Sequence, residues 1–420
     1  MTKGVFDGGF RVASLCFLLA VALRLALLFG TGLYLKRNRT EMASVAVAFA
    51  RTREIANPYM ALPTGPTAHV APLYPMLMGV VYRLFGDGET GETIKQLLAS
   101  CVSSARAPLV VLLALGFGLG EGVALTAGLV SAVYIGAFET ELRGDWEGPL
   151  AADVLLLLVL WASRTAWRRV PGPLGGLCYG VAWGVALLIS PSLLPIAIGL
   201  GLALLASAAR ERTALRTAAV ALLLPAAGCL LALSPWIVRN YLTLGGFVWG
   251  RDNFGLELSV SNGDGASWSN PGNHDRIFSM HPSRYRPAAE KLRAQGELAF
   301  NADRMRDAVV WIKSHPREFA VLTGRRTAAF WFPPGANRAH GLVLAIFTLL
   351  AFAGLTMLWR LSTPAFTVIA VIWAMYPLLY YLVQWSSRYR QPIDWSLILC
   401  AGVALHEGYL WTGRAFASTR

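Results

Sequence analysis

Long apolar runs, separated by short polar breaks, recur along most of the chain. Each run comes close to the roughly 20 residues that a helix needs to cross the hydrocarbon core of a bilayer. Because backbone groups in lipid must be paired internally, continuous apolar runs predict helices, whereas a β-barrel would show alternating strands of about 10 residues. Only 15% of the residues are charged, against about 25% in soluble domains. We therefore predict an all-α, polytopic transmembrane helix bundle with about ten spans.

The predicted spans divide the chain into three parts. Residues 1–238 form a transmembrane core that includes a first outer loop at 34–95, residues 239–340 form a small, mostly helical extracytoplasmic insert, and residues 341–420 form the C-terminal transmembrane helices. The ten predicted spans are 12–33, 97–119, 123–138, 150–167, 174–190, 192–208, 214–237, 342–359, 365–384 and 395–411.

The distribution of lysine and arginine predicts how these spans are oriented. With the N-terminus in the cytoplasm, eleven basic residues fall on the cytoplasmic termini and connections, whereas the short outer connections carry only Arg143, Arg388 and Arg390. This asymmetry follows the positive-inside rule. It predicts a multi-pass protein of the plasma (inner) membrane with both termini cytoplasmic. The first outer loop, an acidic connection at 139–147 and the insert then share the outer face.

The net charge of +13 leaves two interpretations open. It reflects cytoplasmic loops and headgroup contacts, or it serves recognition of an anionic, phosphorylated lipid. A nucleic-acid partner is not favoured, because the basic residues are scattered between spans and form no compact patch with interleaved aromatic residues.

Glu41 is the first candidate for chemistry. It follows the first span and opens an amphipathic helix that Thr40 is placed to cap. It is therefore either a helix N-terminal acid that interacts with the helix dipole, or a carboxylate at the membrane surface that accepts a proton from an incoming nucleophile.

His69 lies in a proline-rich stretch at 57–75 that predicts a rigid, non-helical path followed by an apolar helix. The stretch is either a structural re-entry loop or the support for an imidazole that binds phosphate or shuttles a proton.

Four carboxylates at 139–147 are either a solvated loop or ligands for a divalent cation, since hard oxygen ligands suit such ions. Glu147, next to the fourth span, is the best candidate for a metal ligand or a second acid. A divalent cation therefore stays open as a cofactor.

Arg388 and Arg390 lie between two apolar spans on the face that should be poor in positive charge. They either reach headgroups or bind a lipid phosphate, which guanidinium groups can contact bidentately. Phosphate-binding glycine loops of the Walker type, HExxH and GxSxG motifs do not occur in the sequence.

Together these motifs resemble the GT-C class of membrane glycosyltransferases, in the branch of the protein O-mannosyltransferases, the lipid A aminoarabinose transferase and family 39 / RgtA-B-C-D-like proteins. The resemblance rests on Glu41, the helix behind it, Asn57-Pro58-Tyr59, the segment 65–75, and the run 388–392. The family usually has Asp-Glu where this chain has Thr40-Glu41, and often a basic residue where this chain has Val70-Ala71 beside His69.

The resemblance implies an inverting transfer of a sugar from a polyprenyl-phosphate carrier to a glycan, lipid or protein acceptor on the extracytoplasmic face. It implies that Glu41 activates the acceptor and that His69, Arg388 and Arg390 contact the donor phosphate. Two other functions stay open, a transporter or flippase for a lipid-linked glycan and a non-catalytic scaffold. Transport would need buried charges with acidic partners; Arg24 and Arg106 are clear buried charges, but no acidic partner at matching depth is evident.

Overall fold

A computed structural model describes residues 3–32, 40–59, 62–134, 136, 138, 146–165, 172–210 and 215–418 of the chain. The helices before the insert are α1 Lys3–Gly30, α2 Glu41–Thr52, α3 Leu73–Phe85, α4 Glu89–Gly116, α5 Gly120–Val133, α6 Glu147–Thr165, α7 Pro173–Ile189, α8 Leu194–Arg210 and α9 Leu215–Leu244. The helices that follow are α10 Phe254–Ser261, α11 His274–Met280, α12 Arg286–Gln295, α13 Glu297–Ser314, α14 Pro316–Trp331, α15 Arg338–Leu361, α16 Thr363–Met375 and α17 Gln391–Ser418.

The all-α, polytopic membrane architecture is confirmed. Within the described residues, each of the ten predicted spans overlaps a helix, namely α1, α4 to α9 and α15 to α17. Six helical segments in the described part of the chain are long and apolar enough to cross a membrane: Gly8–Gly30, Glu89–Gly116, Pro191–Ala209, Val220–Leu244, Arg338–Leu361 and Thr363–Tyr381. Shorter apolar helices, such as Gly120–Val133 and Pro173–Ile189, pack among them.

Small residues let neighbouring membrane helices approach closely. A Cβ atom added to Gly180 of α7 would lie 2.0 Å from the carbonyl oxygen of Pro225 in α9, and one added to Gly354 of α15 would lie 1.8 Å from the carbonyl oxygen of Cys400 in α17. Such backbone contact is typical of helix packing in lipid, where association depends on van der Waals contact rather than on the exclusion of water. Substitution of either glycine would therefore separate two helices.

The buried charge of Arg106 has an acidic partner, which corrects one expectation from the sequence. Arg106 on α4 lies 3.5 Å from the carboxylate of Asp153 on α6, and both side chains are buried. Asp153 is thus an acidic partner at matching depth, which linear sequence did not reveal because the two residues belong to different helices. Nearer the N-terminal end of α4, Lys95 lies 2.7 Å from Glu92.

Two helix boundaries differ from prediction for local reasons. Helix α4 begins at Glu89, so the polar end of the loop at 34–95 is already helical; acidic residues in a first turn suit the helix dipole. Helix α16 ends at Met375 and continues as a 3-10 helix over Tyr376–Tyr381. Pro377 explains this change, because it lacks the N–H that an α-helix needs there.

The insert packs on the first outer loop at one end of the bundle. Tyr59 from that loop is buried in a cluster with Leu256, Val260, Leu292 and Phe300 of the insert. The sequence predicts one long helix at 288–313, but Gly296, with a φ of 87°, separates α12 from α13. A left-handed conformation is one that glycine adopts readily. The break places Glu297 at the start of a helix facing the loop.

Candidate active site

Glu41 occupies the first position of α2, as the sequence predicts. The hydroxyl of Thr40 accepts a hydrogen bond from the backbone N–H of Ala43 at 3.3 Å, so Thr40 is the N-cap. This cap fixes the start of the helix and points the next residue to the end of the bundle that carries the insert.

Two imidazoles flank the carboxylate of Glu41. Nε2 of His69 lies 3.6 Å from Oε2, and Nε2 of His281 lies 3.8 Å from Oε1. The Glu41 side chain is 29% exposed, whereas those of His69 and His281 are 1% and 7% exposed. A bound molecule can therefore reach the carboxylate but not the rings behind it.

Hydrogen bonds orient both imidazole rings. The backbone N–H of Ser283 donates to Nδ1 of His281 at 3.2 Å, so the proton of the neutral ring is on Nε2, the nitrogen that faces Glu41. The hydroxyl of Tyr59 lies 3.1 Å from Nδ1 of His69. Burial, together with the negative charge of Glu41, raises the pKa of Tyr59 well above its ordinary value, so this hydroxyl keeps its proton. Both rings are thereby able to direct an N–H at the carboxylate.

The loop that carries His69 has the rigid form that its prolines predict. Ala56 and Pro66 form an isolated antiparallel bridge, and the backbone N–H of Asn57 donates to the carbonyl oxygen of Gly65 at 2.9 Å. Asn57 has a φ of 54°, a conformation for which asparagine is favoured among residues with a side chain. The loop then enters α3 through Pro72.

Side chains from distant parts of the chain hold this loop in place. Glu297 accepts a hydrogen bond from the hydroxyl of Thr67 and another from the backbone N–H of Ala68, the latter at 2.7 Å. Arg239 donates to the carbonyl oxygens of Thr67 at 2.8 Å and of Ile55 at 2.6 Å. The position of His69 is thus set jointly by the end of α9 and by the insert.

The pKa values of Glu41 and Glu297 are shifted in opposite directions. Burial raises the pKa of Glu41, but the electrostatic effects of His69, His281 and Arg388 outweigh burial and hold that pKa well below its usual range. Burial raises the pKa of Glu297 to about 7 against the opposing effect of its hydrogen bond from Thr67. Glu41 is therefore ionised at neutral pH, whereas Glu297 titrates near it.

Arg388 acts on Glu41 through its charge. It lies on a 3-10 turn, Ser387–Arg390, immediately before α17, its side chain is exposed, and its charge contributes to the lowered pKa of Glu41. An exposed guanidinium offers charge-assisted donors to an anionic group.

Arg390, by contrast, points into the bundle and is 5% exposed. Its Nε donates to Asp394 at 2.7 Å, Nη2 donates to the hydroxyl of Tyr134 at 2.9 Å, and Nη1 donates to the carbonyl oxygen of Trp331 at 3.0 Å. Each guanidinium nitrogen already has a protein partner, so the arrangement fits a residue that anchors the turn carrying Arg388.

Glu147 lies apart from the imidazoles, at the first position of α6. One carboxylate oxygen is 3.8 Å from Nη1 of Arg251, whose Nε donates to the carbonyl oxygen of His69 at 3.1 Å. Glu139, Glu141 and Asp145 lie outside the described residues. Among the residues that the structure does describe, no group of three or more His, Cys, Asp or Glu side chains is placed to hold a metal ion.

Sequence reasoning missed His281 and Glu297. Both lie in the insert, where the sequence shows neither a motif nor a hydrophobic pattern that marks them. The only local signal is Gly296, because a glycine directly followed by a Glu suggests a helix start. Their contact with the first outer loop depends on tertiary packing alone.

Comparison with known proteins gives little further guidance. No protein-family model matches the chain, and no curated protein matches it. Among solved structures, the chain is similar to ArnT from Cupriavidus metallidurans in the apo state, with 14% identity over 92% of this chain and 77% of the ArnT chain and a TM-score of 0.33. At that identity and TM-score, no residue role can be transferred from ArnT to this chain.

Proposed function

We propose that the protein is an integral-membrane glycosyltransferase of the GT-C class that moves a sugar from a polyprenyl-phosphate carrier to a glycan, lipid or protein acceptor on the extracytoplasmic face, with both termini cytoplasmic. One observation carries the proposal. A partly exposed, ionised carboxylate, Glu41, is held between two buried imidazoles, and the charge of the exposed Arg388 favours its ionised form. An acceptor hydroxyl and an anionic leaving group need this pairing of a proton acceptor with a cation.

The proposed reaction is a single displacement. The acceptor hydroxyl oxygen attacks the anomeric carbon of the donor sugar, the bond from that carbon to the phosphate oxygen breaks, and the electron pair stays on the phosphate. The hydroxyl proton moves to Glu41. A low pKa makes Glu41 a weak base, which suffices because the oxygen becomes strongly acidic once it bonds to the anomeric carbon. One displacement inverts the configuration of the sugar.

The remaining residues of the site support this step. His69 and His281 keep Glu41 oriented and ionised through their Nε2 atoms. Arg388 contacts the donor phosphate and stabilises the negative charge that develops on it as the bond breaks. Arg390 positions Arg388 by anchoring the turn Ser387–Arg390. This arrangement assigns no step to a metal ion.

Replacement of Glu41 by Gln tests the proposal. It keeps the shape of the side chain and removes its capacity to accept a proton, so we expect transfer to fall by about 100-fold or more while the protein still folds. Mass spectrometry of cell-envelope glycans and glycolipids, in a deletion strain that carries each variant, should show loss of one glycan and accumulation of its polyprenyl-phosphate donor. Glu54→Gln, an exposed carboxylate of the same loop, is the matched control.

Full transfer by Glu41→Gln would remove the catalytic assignment and leave the non-catalytic scaffold as the better interpretation. Arg388→Ala should weaken binding of the polyprenyl-phosphate donor, and Glu54→Gln should not. Unchanged donor affinity in Arg388→Ala would place the phosphate elsewhere.

A transporter for a lipid-linked glycan is the second candidate, because the buried Arg106–Asp153 pair lies within the bundle and intramembrane charges often mark transport pathways. Reconstituted vesicles distinguish the two functions. Movement of a fluorescent lipid-linked glycan between leaflets without formation of a new glycosidic bond would favour transport.

A further inference from the structure

The described residues also form a second concave site. In the described part of the chain, a cavity of about 280 Å³ opens between the insert and the start of α17. Trp268, Trp385 and Pro333 contribute to its walls, and Tyr134, Arg390 and Asp394 contribute its buried polar groups. Its volume is close to the lower end of the range for small-molecule sites, which starts near 300 Å³.

The 3-10 turn Ser387–Arg390 contributes to the wall of the cavity and also carries Arg388. Ser387 and Arg390 both line the cavity, as expected because residues three apart eclipse one another on a 3-10 helix. Arg388 lies between them in sequence, and its charge acts on Glu41. A ligand in the cavity would therefore contact the same turn that carries the proposed phosphate-binding arginine.

Backbone hydrogen bonds hold the two tryptophans of the wall in place. The N–H of Trp385 donates to the carbonyl oxygen of Trp268 at 2.8 Å, and the N–H of Asn270 donates to the carbonyl oxygen of Trp385 at 2.9 Å. The two indole rings have centroids 6.0 Å apart and planes inclined at 42°. Such a pre-formed wall can bind a ligand with little loss of side-chain entropy.

The charges lining the cavity narrow the chemistry of its ligand. Arg390 and Asp394 form an ion pair at 2.7 Å, and the other two guanidinium nitrogens donate to Tyr134 and Trp331. A hydrocarbon chain would remove water from this pair without replacing its hydrogen bonds. A phosphate would meet the carboxylate of Asp394 and an arginine whose nitrogens are already engaged. A neutral molecule with one apolar face and several hydroxyls meets neither penalty.

We propose that this cavity binds a neutral pyranose ring of the acceptor glycan, an inference that rests on the proposed glycosyltransferase function. The C–H groups on one face of the sugar stack on Trp268 and Trp385, because aromatic faces carry partial negative charge. The sugar hydroxyls bond to Asp394, Tyr134 and Ser387, which line the same space. The cavity thus selects a carbohydrate-bearing acceptor and holds it against the turn that carries Arg388.

Ligand-observed NMR on the full chain in nanodiscs tests the proposal. The probes are a panel of neutral methyl pyranosides, with inorganic phosphate and decaprenyl phosphate as competitors. We expect saturation transfer to the ring C–H groups of at least one glycoside. Trp268→Ala should weaken its binding about tenfold, the loss expected from removing an aromatic contact. Trp411→Ala, which replaces a tryptophan that is 71% exposed near the C-terminal end of α17, should leave binding unchanged.

A second variant provides an independent test in case Trp268→Ala does not fold. Ser387→Phe fills the cavity from an exposed position and should block glycoside binding. Three outcomes would overturn the proposal: no saturation transfer to any glycoside, equal binding by wild type and Ser387→Phe, or displacement of the glycoside by phosphate or decaprenyl phosphate.

The Glu41→Gln variant separates this inference from the proposed function. Glycoside binding retained in Glu41→Gln together with lost transfer supports both. Retained binding with full transfer removes the catalytic role of Glu41 but not the sugar site. Lost transfer with no binding to the wild-type cavity removes the sugar site alone.

Discussion

Glu297 links the insert to the loop that carries His69, so its replacement should loosen that loop. Glu297→Ala leaves the backbone N–H of Ala68 and the hydroxyl of Thr67 without acceptors, and both residues are fully buried. A buried unsatisfied donor costs about 1–3 kcal/mol. Two donors, less the relief from no longer burying a carboxylate, give a net loss of about 2–4 kcal/mol in the closed state of the loop.

This loss of stability in the closed loop is large enough to detect by amide hydrogen exchange. At about 1.4 kcal/mol per factor of ten, the backbone N–H groups of Ala68 and of Asp252, which donates to the carbonyl oxygen of Ala68, should exchange roughly 30- to 1000-fold faster in Glu297→Ala. Glu297→Gln keeps one acceptor oxygen, so exchange of the same two backbone N–H groups should rise by less than about tenfold in that variant.

Glu290→Ala is the matched control, because Glu290 lies on the neighbouring helix α12 in an exposed pair with Arg286 at 2.9 Å. Such pairs contribute about 0–1 kcal/mol. Unchanged exchange at Ala68 in Glu297→Ala, or an equal effect from Glu290→Ala, would refute the conclusion that Glu297 holds the loop.

Three further results are expected from the same contacts. Between about pH 4.5 and 7 the folded chain keeps a proton on Glu297 that the unfolded chain has lost, so stability should fall by up to about 3 kcal/mol as pH rises through that window. Thermal unfolding in detergent should show a flatter pH profile in Glu297→Gln. Arg390→Leu should cost about 3–5 kcal/mol, because it leaves the buried Asp394 unpaired. The double variant Arg390→Leu/Asp394→Leu should recover much of that loss. Equal unfolding temperatures for the single and the double variant would contradict the ion pair between Arg390 and Asp394. Arg251→Ala should slow transfer through loss of its bond to the carbonyl oxygen of His69, and Glu147→Ala should have a smaller effect; the opposite order in a transfer assay would favour a direct role for Glu147.

The helices of this protein could be predicted because their signals are local. Thr40 caps α2 by accepting a hydrogen bond from the backbone N–H of Ala43, as its residue type predicts. The dense prolines before α3 prevent that loop from forming a helix, which the sequence also predicts. Predictions failed where a single residue altered a regular pattern. Gly296 divided one predicted helix in the insert, and Pro377 converted the end of the ninth span into 3-10 helix.

The candidate site was predictable only in part. Glu41, His69 and Arg388 stand out in the sequence because charged or titratable groups at a membrane boundary need a reason to be there. Arg390 carries the same signal, yet its side chain turns inward to Asp394 and Tyr134. Two arginines on one short turn face different surroundings, and no sequence pattern separates them.

The sequence by itself determined that the chain is a helical membrane protein and which short segments could carry chemistry. Hydropathy, caps and prolines act within a few residues, and each can be assessed without knowing the rest of the fold. Only the tertiary structure decided that His281 faces Glu41 and that Glu297 holds Thr67, a contact between residues 230 positions apart. The physical reason is that such contacts depend on how whole helices pack, and side chains far apart in sequence meet only after the bundle and the insert have formed.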